Sequence, residues 1–401
     1  MRCEVSAGPA HCREGPFHDV ILGDRVVIQM RQHLLASRAP LVLPEVAMTE
    51  IKWNTTGLAE AGFASDLDEN FEIARQAGTL PNLHGVIAAR SGRIFFERYL
   101  AGPDAGRSPL GVIRFGPETL HDMRSVSKSM VGLLYGVTLA AGQVPAPEAS
   151  LLAQFPEYPD LSADPKKHAL TIQHALTMTL GTDWDELTLP YTDPRNGETA
   201  MNNAADRYRY VLERPMIDRP GRHWTYNGGA TALLGRLIEK GTGRQLYDFA
   251  REALFEPLGI GKTEWRRGTD GEPIAASGLR LTPRDLARIG VMILGGGQWN
   301  GRQVTPADWL AASFTPAISM PDGRQYGYQW YLGAVPMNDG NGGVRLERII
   351  SAIGNGGQRM FLLPRLDLVV AITAGNYNAM NQEDPPLVVL RDLILPALRM
   401  G

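Results

Sequence analysis

Apolar and polar positions change rhythm along this chain, and each change predicts an element. From His84 to Leu100, "HGVIAARSGRIFFERYL" reads as two β-strands joined at Ser91-Gly92, where glycine supplies the positive φ of a tight hairpin. Helical spacing then takes over. "LHDMRSVSKSMVGLLYG", from Leu120 to Gly136, carries apolar residues that would bury a helix body. "TIQHALTMTLG" has a Thr171 cap and a Gly181 stop, and "GATALLGRLIEKGTG" ends at Gly241 or Gly243. "LTPRDLARIGVMILGGG" begins with Thr282 as cap and Pro283 at the first helical position, and "VTPADWLAASF" repeats that device at Thr305 and Pro306. Strand patterns return in "YGYQWYLG", "VRLERIISA", "QRMFLLP" and "DLVVAITAG", and "PLVVLRDLILPAL" predicts a closing helix.

A lone early hairpin cannot bury a face by itself. Pairing it with the late strands gives one antiparallel sheet with helices packed on it, an α+β fold. Residues from about 140 to 265 then form a helical lobe beside the sheet, and a cleft between the two is a natural place for a site. Residues 1–47 show no clear periodicity. They are read as an N-terminal tail, disordered or absent from the native protein, with Met48 as the alternative start and 48–401 as the folded domain. No repeat period appears.

Composition narrows the function. The formal charge of -3 gives no basic footprint for nucleic acid or an anionic membrane. Both cysteines, Cys3 and Cys12, precede the predicted fold, so neither a disulfide framework nor a thiol site is expected in its body. Glu4, Glu14, Asp19 and Asp24 interrupt any signal-peptide core, and no apolar run reaches spanning length. The expectation is a cytoplasmic protein; the oligomeric state is left open.

Ser125 is the only serine with a lysine three positions on, Lys128. On a helix the two share a face. At the first turn, Ser125 would sit among unsatisfied N–H groups at the positive end of the helix dipole, which favours an alkoxide. Lys128 acting as a base near pH 7 needs its pKa lowered by roughly three units, about 4 kcal/mol, through desolvation and nearby positive charge. The plain alternative is a helix cap beside a solvated lysine. Ser127 and Ser129 fall on other faces.

Two further stretches join this pair. "RPGRHWTYNGGATALLG" places Tyr226 just before a helix, where it could relay a proton or, as tyrosinate, activate the serine; the alternative is a core aromatic. "SAIGNGGQRMFLLP" is a glycine-rich turn entering a strand, able to offer an N–H to an oxyanion beside that of Ser125; the alternative is an ordinary hairpin turn.

Together these stretches, with "LTIQHALTMTLGTDWDE", "GLRLTPRDLARIGVMILGGGQWNG" and "YGYQW", resemble the serine β-lactamase and penicillin-binding-protein-like hydrolases. The resemblance runs from about His84 to Tyr377. It is closest to the class C-related branch that holds family VIII carboxylesterases and 6-aminohexanoate-dimer hydrolases. It implies a β-lactamase/transpeptidase-like fold, Ser125 as nucleophile, Lys128 as its proton acceptor and Tyr226 as the tyrosine of a Tyr-x-Asn element. The third position of that element is Gly228, with Asn227 one place early. The Lys-Thr-Gly element falls on Ala352, Ile353 and Gly354, which makes Asn355 the second oxyanion amide; a second frame starts at Asn355 and has Gln358 donating.

Ala352 can offer no charge to a substrate carboxylate, so the resemblance points to esters and short linear amides over β-lactams, with Arg324 and Arg359 as possible compensating cations. "LPYTDPRNGE" resembles the substrate-contacting loop of the amide hydrolases and nominates Tyr191. Asp183, Trp184, Trp330 and Gly354 are further lining candidates, with packing roles as the alternative. The implied reaction is acylation of Ser125, then hydrolysis by water activated by the Tyr226–Lys128 pair, with the base between them left open. The alternatives are β-lactamase or D-alanyl-D-alanine carboxypeptidase activity, and a non-catalytic penicillin-binding-like sensor. No Gly-x-Ser-x-Gly elbow and no HxxxH spacing occurs, which disfavours an α/β-hydrolase or a metal hydrolase; His84, His121, His174 and His223 are read as core or loop residues.

Overall fold

The computed structural model describes residues 53–105, 111–338 and 342–399; the expected tail and its boundary at Met48 lie outside them. Eight strands form the main sheet: β1 (Leu83–Arg90), β2 (Arg93–Tyr99), β3 (Ile318–Ser319), β4 (Gln325–Tyr326), β5 (Tyr331–Asn338), β6 (Val344–Gly354), β7 (Gln358–Leu363) and β8 (Leu368–Ala374). Their order is β3-β4-β5-β6-β7-β8-β1-β2, with neighbours antiparallel. The early hairpin therefore joins the late strands through β1 and β8, with Gly85 opposite Thr373. Ser91 and Gly92 turn the hairpin with φ of 49° and 74°.

β7 and β8 are buried along their whole length, which explains their nearly unbroken apolar runs. Alternate residues serve opposite faces. Met360, Leu362, Val369 and Ala371 meet Val126 and Met130 of α2 (Val126–Ala140) in one core. Phe361, Leu363, Val370 and Ile372 meet Leu67 and Phe71 of α1 (Leu67–Gln76) and the closing helical segment in the other. Two glycines let neighbours approach α2 closely. A Cβ at Gly136 would lie 2.0 Å from the ring of Trp309, and Trp309 Nε1 donates to the Gly132 carbonyl at 2.9 Å. Across its other side α2 packs on α4 (Gly228–Thr242), with α3 (Ile172–Leu176) also against α4.

Several local expectations need correction. The helix after Thr171 ends at Leu176 rather than running to Gly181, because Thr177 bonds back to Gln173 O and Met178 turns left-handed at φ 57°. α4 runs through Gly241 and stops at Gly243, φ 68°. Thr282 does cap α5 (Pro283–Leu294), accepting from Asp285 N at 3.1 Å. Thr305 does not cap α6 (Ala307–Ser313), whose N-cap is Pro306, and its hydroxyl is buried without a hydrogen bond. "YGYQWYLG" is two strands, broken where Gln329 adopts φ 66° and turns into β5.

Candidate active site

The start of α2 sets the site. Arg124 takes a left-handed φ of 50°, an unusual conformation for a residue with a β-carbon, and the turn delivers Ser125 to the helix N-cap. Ser127 stitches that turn down: its hydroxyl donates to Arg124 O at 2.6 Å and accepts from Leu279 N at 3.2 Å. One helical turn on, Lys128 is buried and its Nζ lies 3.1 Å from Ser125 Oγ, 3.1 Å from Ala276 O and 3.8 Å from Glu186 Oε1. The same Nζ sits 4.7 Å from the ring centre of Tyr226. The sequence reading asked for positive charge beside this lysine; its ion-pair partner is instead a carboxylate.

Tyr226 lies just before α4, buried and hydrogen-bonded to Ser125. Burial raises its pKa well above the ordinary phenol value, and Glu186 pushes it the same way, against the Ser125 bond. A neutral phenol fits this setting better than a tyrosinate. Asn227 is spent as the cap of α4, its Oδ1 accepting from Ala230 N at 3.0 Å. Gly228 donates its N–H to Glu186 Oε2 at 2.6 Å, and a Cβ there would stand 3.0 Å from the same oxygen. Glu186 thus fills the space that an asparagine at position 228 would reach into.

Sequence reading missed Glu186, although it closes the stretch "LTIQHALTMTLGTDWDE". Its carboxylate also accepts from Trp184 Nε1 at 3.0 Å and Tyr191 OH at 3.3 Å. Burial pushes its pKa above the usual carboxylate range; Lys128 opposes this and Glu198 adds to it. Glu198 in turn accepts from Ser277 Oγ at 2.5 Å.

The glycine-rich turn closes the opposite wall. A Cβ at Gly354 would fall 2.4 Å from Met123 O and 3.2 Å from Arg124 Cβ, so only glycine lets the end of β6 lie against the Ser125 turn. Asn355 follows and lines the same cavity as Ser125. Its side chain is tied to Asn378, donating to Oδ1 at 2.7 Å and accepting from the backbone N–H at 2.8 Å. Gln358 is fully buried and spends its side-chain amide on Asn355 O and on both backbone groups of Ala374.

The cavity measures about 630 Å³ and also receives Glu186, Tyr191, Tyr226 and Gly354. Leu187, Leu189, Pro190, Trp224 and Met320 give the lining apolar members, and Asp322, Arg324, Arg359 and Glu383 give it charged ones. Three nominated residues stand elsewhere. Trp330 is fully buried against Phe314, Trp184 acts from beneath by holding Glu186, and Asp183 pairs with Arg214 at 2.8 Å on the surface. Ala352 is fully buried in the apolar core. His84 and His121 form a buried pair, Nδ1 to Nε2 at 2.9 Å, His174 completes the capping box of α3, and His223 is an exposed partner of Asp218.

An antiparallel sheet with a buried Ser-x-x-Lys helix start and a glycine turn facing it defines the β-lactamase and penicillin-binding-protein-like hydrolase fold. The chain belongs to the Beta-lactamase family, which it matches over residues 76–393. It is 25% identical over 309 residues to the 6-aminohexanoate-dimer hydrolase of Paenarthrobacter ureafaciens, covering 71% of this chain and 70% of that one. A lovastatin esterase of Penicillium rubens is 28% identical over 141 residues, a third of each chain (33%). The solved structure of EstCE1, a hydrolase with promiscuous acyltransferase activity, superimposes with a TM-score of 0.63 at 16% identity, over 84% of this chain and 98% of that one. Among the described residues no helix is long and apolar enough to cross a membrane, and no cluster of metal-ligating side chains occurs.

Proposed function

We propose that the protein is a serine hydrolase that cleaves a carboxylic ester or a short linear amide through an acyl-Ser125 intermediate. One observation carries the reading: Lys128 Nζ lies 3.1 Å from Ser125 Oγ at a helix start that opens on a cavity. Ser125 Oγ attacks the substrate carbonyl and its proton passes to Lys128. The N–H groups of Ser125 and Asn355 receive the oxyanion. Tyr226, held protonated, passes a proton to the leaving oxygen or nitrogen, and water then cleaves the acyl-enzyme with the Tyr226–Lys128 pair taking its proton.

The names of the relatives support both ester and amide bonds. The buried, uncharged Ala352 offers a β-lactam carboxylate nothing at the lysine position. The apolar residues lining the cavity suit an acyl chain or an alkyl leaving group. A fluorophosphonate probe tests the chemistry: wild type labels at Ser125, and Ser125→Ala does not. Equal labelling of the two rules out the acyl-serine reading, and no labelling of wild type favours a non-catalytic sensor. Turnover of p-nitrophenyl butyrate and a linear 6-aminohexanoate dimer is expected to exceed that of nitrocefin; the reverse order would point to a β-lactamase.

A further inference from the structure

Arg359 sits at the start of β7, about as deeply buried as an arginine can be (2% exposed), yet it reaches the cavity that holds Ser125. Its Nη1 donates to two carbonyls at once, Gly354 O at 3.0 Å and Gln358 O at 2.8 Å. Gly354 and Gln358 are the paired residues that close the β6–β7 hairpin. Nη2 faces Glu383 at 3.2 Å, a half-exposed carboxylate at the cavity rim. One guanidinium nitrogen thus ties the two carbonyls together, while the other faces the carboxylate.

The Gly354 carbonyl belongs to the same peptide unit as the Asn355 N–H. A trans peptide is planar, so its C=O and N–H point in opposite directions. Holding the oxygen on the β7 side therefore directs the N–H to the other side. A Cβ on Gly354 would meet Met123 and Arg124, the two residues before Ser125, so this peptide lies beside the Ser125 turn. Resting on the acyl-serine reading above, we propose that Arg359 is a positioning residue which fixes the Asn355 amide as an oxyanion donor. It does so by clamping the carbonyls that close the turn, with Glu383 as its counter-ion. The charge of the guanidinium also favours a developing oxyanion in that cavity.

The test uses the full chain as wild type, Ser125→Ala, Arg359→Met and Arg359→Lys. It measures p-nitrophenyl butyrate kinetics, the rate of fluorophosphonate inactivation and thermal melting. Arg359→Met is expected to lower kcat roughly tenfold to a hundredfold, short of deleting an oxyanion donor outright, with KM within about twofold. Inactivation slows by the same factor, because that adduct uses the same amides. Arg359→Lys keeps the charge facing Glu383 but grips one carbonyl at most, so it falls between the two; it alone decides should the methionine variant not fold. Unchanged kcat in a folded variant, or a loss carried by KM alone, overturns the proposal. Activity surviving in Ser125→Ala overturns the acyl-serine reading itself. An inactive Ser125→Ala beside a fully active Arg359→Met overturns only the role of Arg359.

Discussion

Glu186 stands 3.8 Å from Lys128 with its side chain wholly enclosed, and under the proposed mechanism its charge gives it a part in turnover. In the proposed acylation Lys128 becomes an ammonium as it takes the Ser125 proton, and an ionised carboxylate at that distance stabilises that ammonium by about 4 kcal/mol at an effective dielectric near 20. Burial holds the carboxyl above its ordinary range, so it ionises late as pH rises. Activity is therefore expected to climb through the ionisation of Glu186, giving kcat/KM an acid limb. Glu186→Gln still accepts from Gly228 and Trp184 but carries no charge; its pH profile is expected to lose that limb, with a plateau roughly tenfold to a hundredfold lower. A wild-type profile in this variant would remove the carboxylate from the mechanism. Ser125 and Lys128 were legible in the sequence because one helical turn fixes their distance whatever surrounds them. Glu186 was not, since its partners Lys128 and Gly228 lie far away in the chain and no periodicity marks such a contact.

At the scale of elements, α2 begins at Ser125, and its rigidity depends on how closely neighbours approach it. A methyl group at Gly136 would overlap Trp309, whose indole is already fixed by its bond to Gly132 O. Gly136→Ala is expected to destabilise the protein by about 1–3 kcal/mol through overpacking, read as a lowered denaturation midpoint in urea. An unchanged midpoint would show that the tryptophan can move aside. Helix starts with strong chemistry, such as Thr282-Pro283, were readable from the chain, as were the hairpin at Ser91-Gly92 and the apolar strands. The errors share one cause. Met178 and Gln329 are placed by left-handed turns that their side chains do not advertise. Gln329 is an example: its side chain bonds Thr231, Ala175 and Leu176, and those three bonds outweigh the strand pattern around it.

Across the whole molecule, a buried histidine pair links stability to pH. His84 stacks on Phe115 at 4.0 Å between ring centres and shares a hydrogen bond with His121, so the two facing nitrogens cannot both carry protons. Burial, helped by His121, pulls the pKa of His84 down to about 3, and burial lowers that of His121. The unfolded chain binds these protons near pH 6.5 and the folded one does not. The stabilisation is thus complete above about pH 6.5 and is lost as pH falls toward 3, by about 1.4 kcal/mol per pH unit for each histidine held neutral. Thermal melts at pH 7 and pH 5 should show a steep fall in wild type and a shallower one in His84→Gln. Parallel falls would assign acid sensitivity to other groups. The pairing of Gly85 with Thr373 has a consequence for synthesis. At ribosomal speeds of about 5–20 residues per second, the first hairpin waits roughly 15–60 s for its neighbour to emerge. During that interval an unpaired edge and two sticky faces stand open to aggregation, and a nascent chain released before β8 should be captured by chaperones and cut by proteases that spare the finished protein.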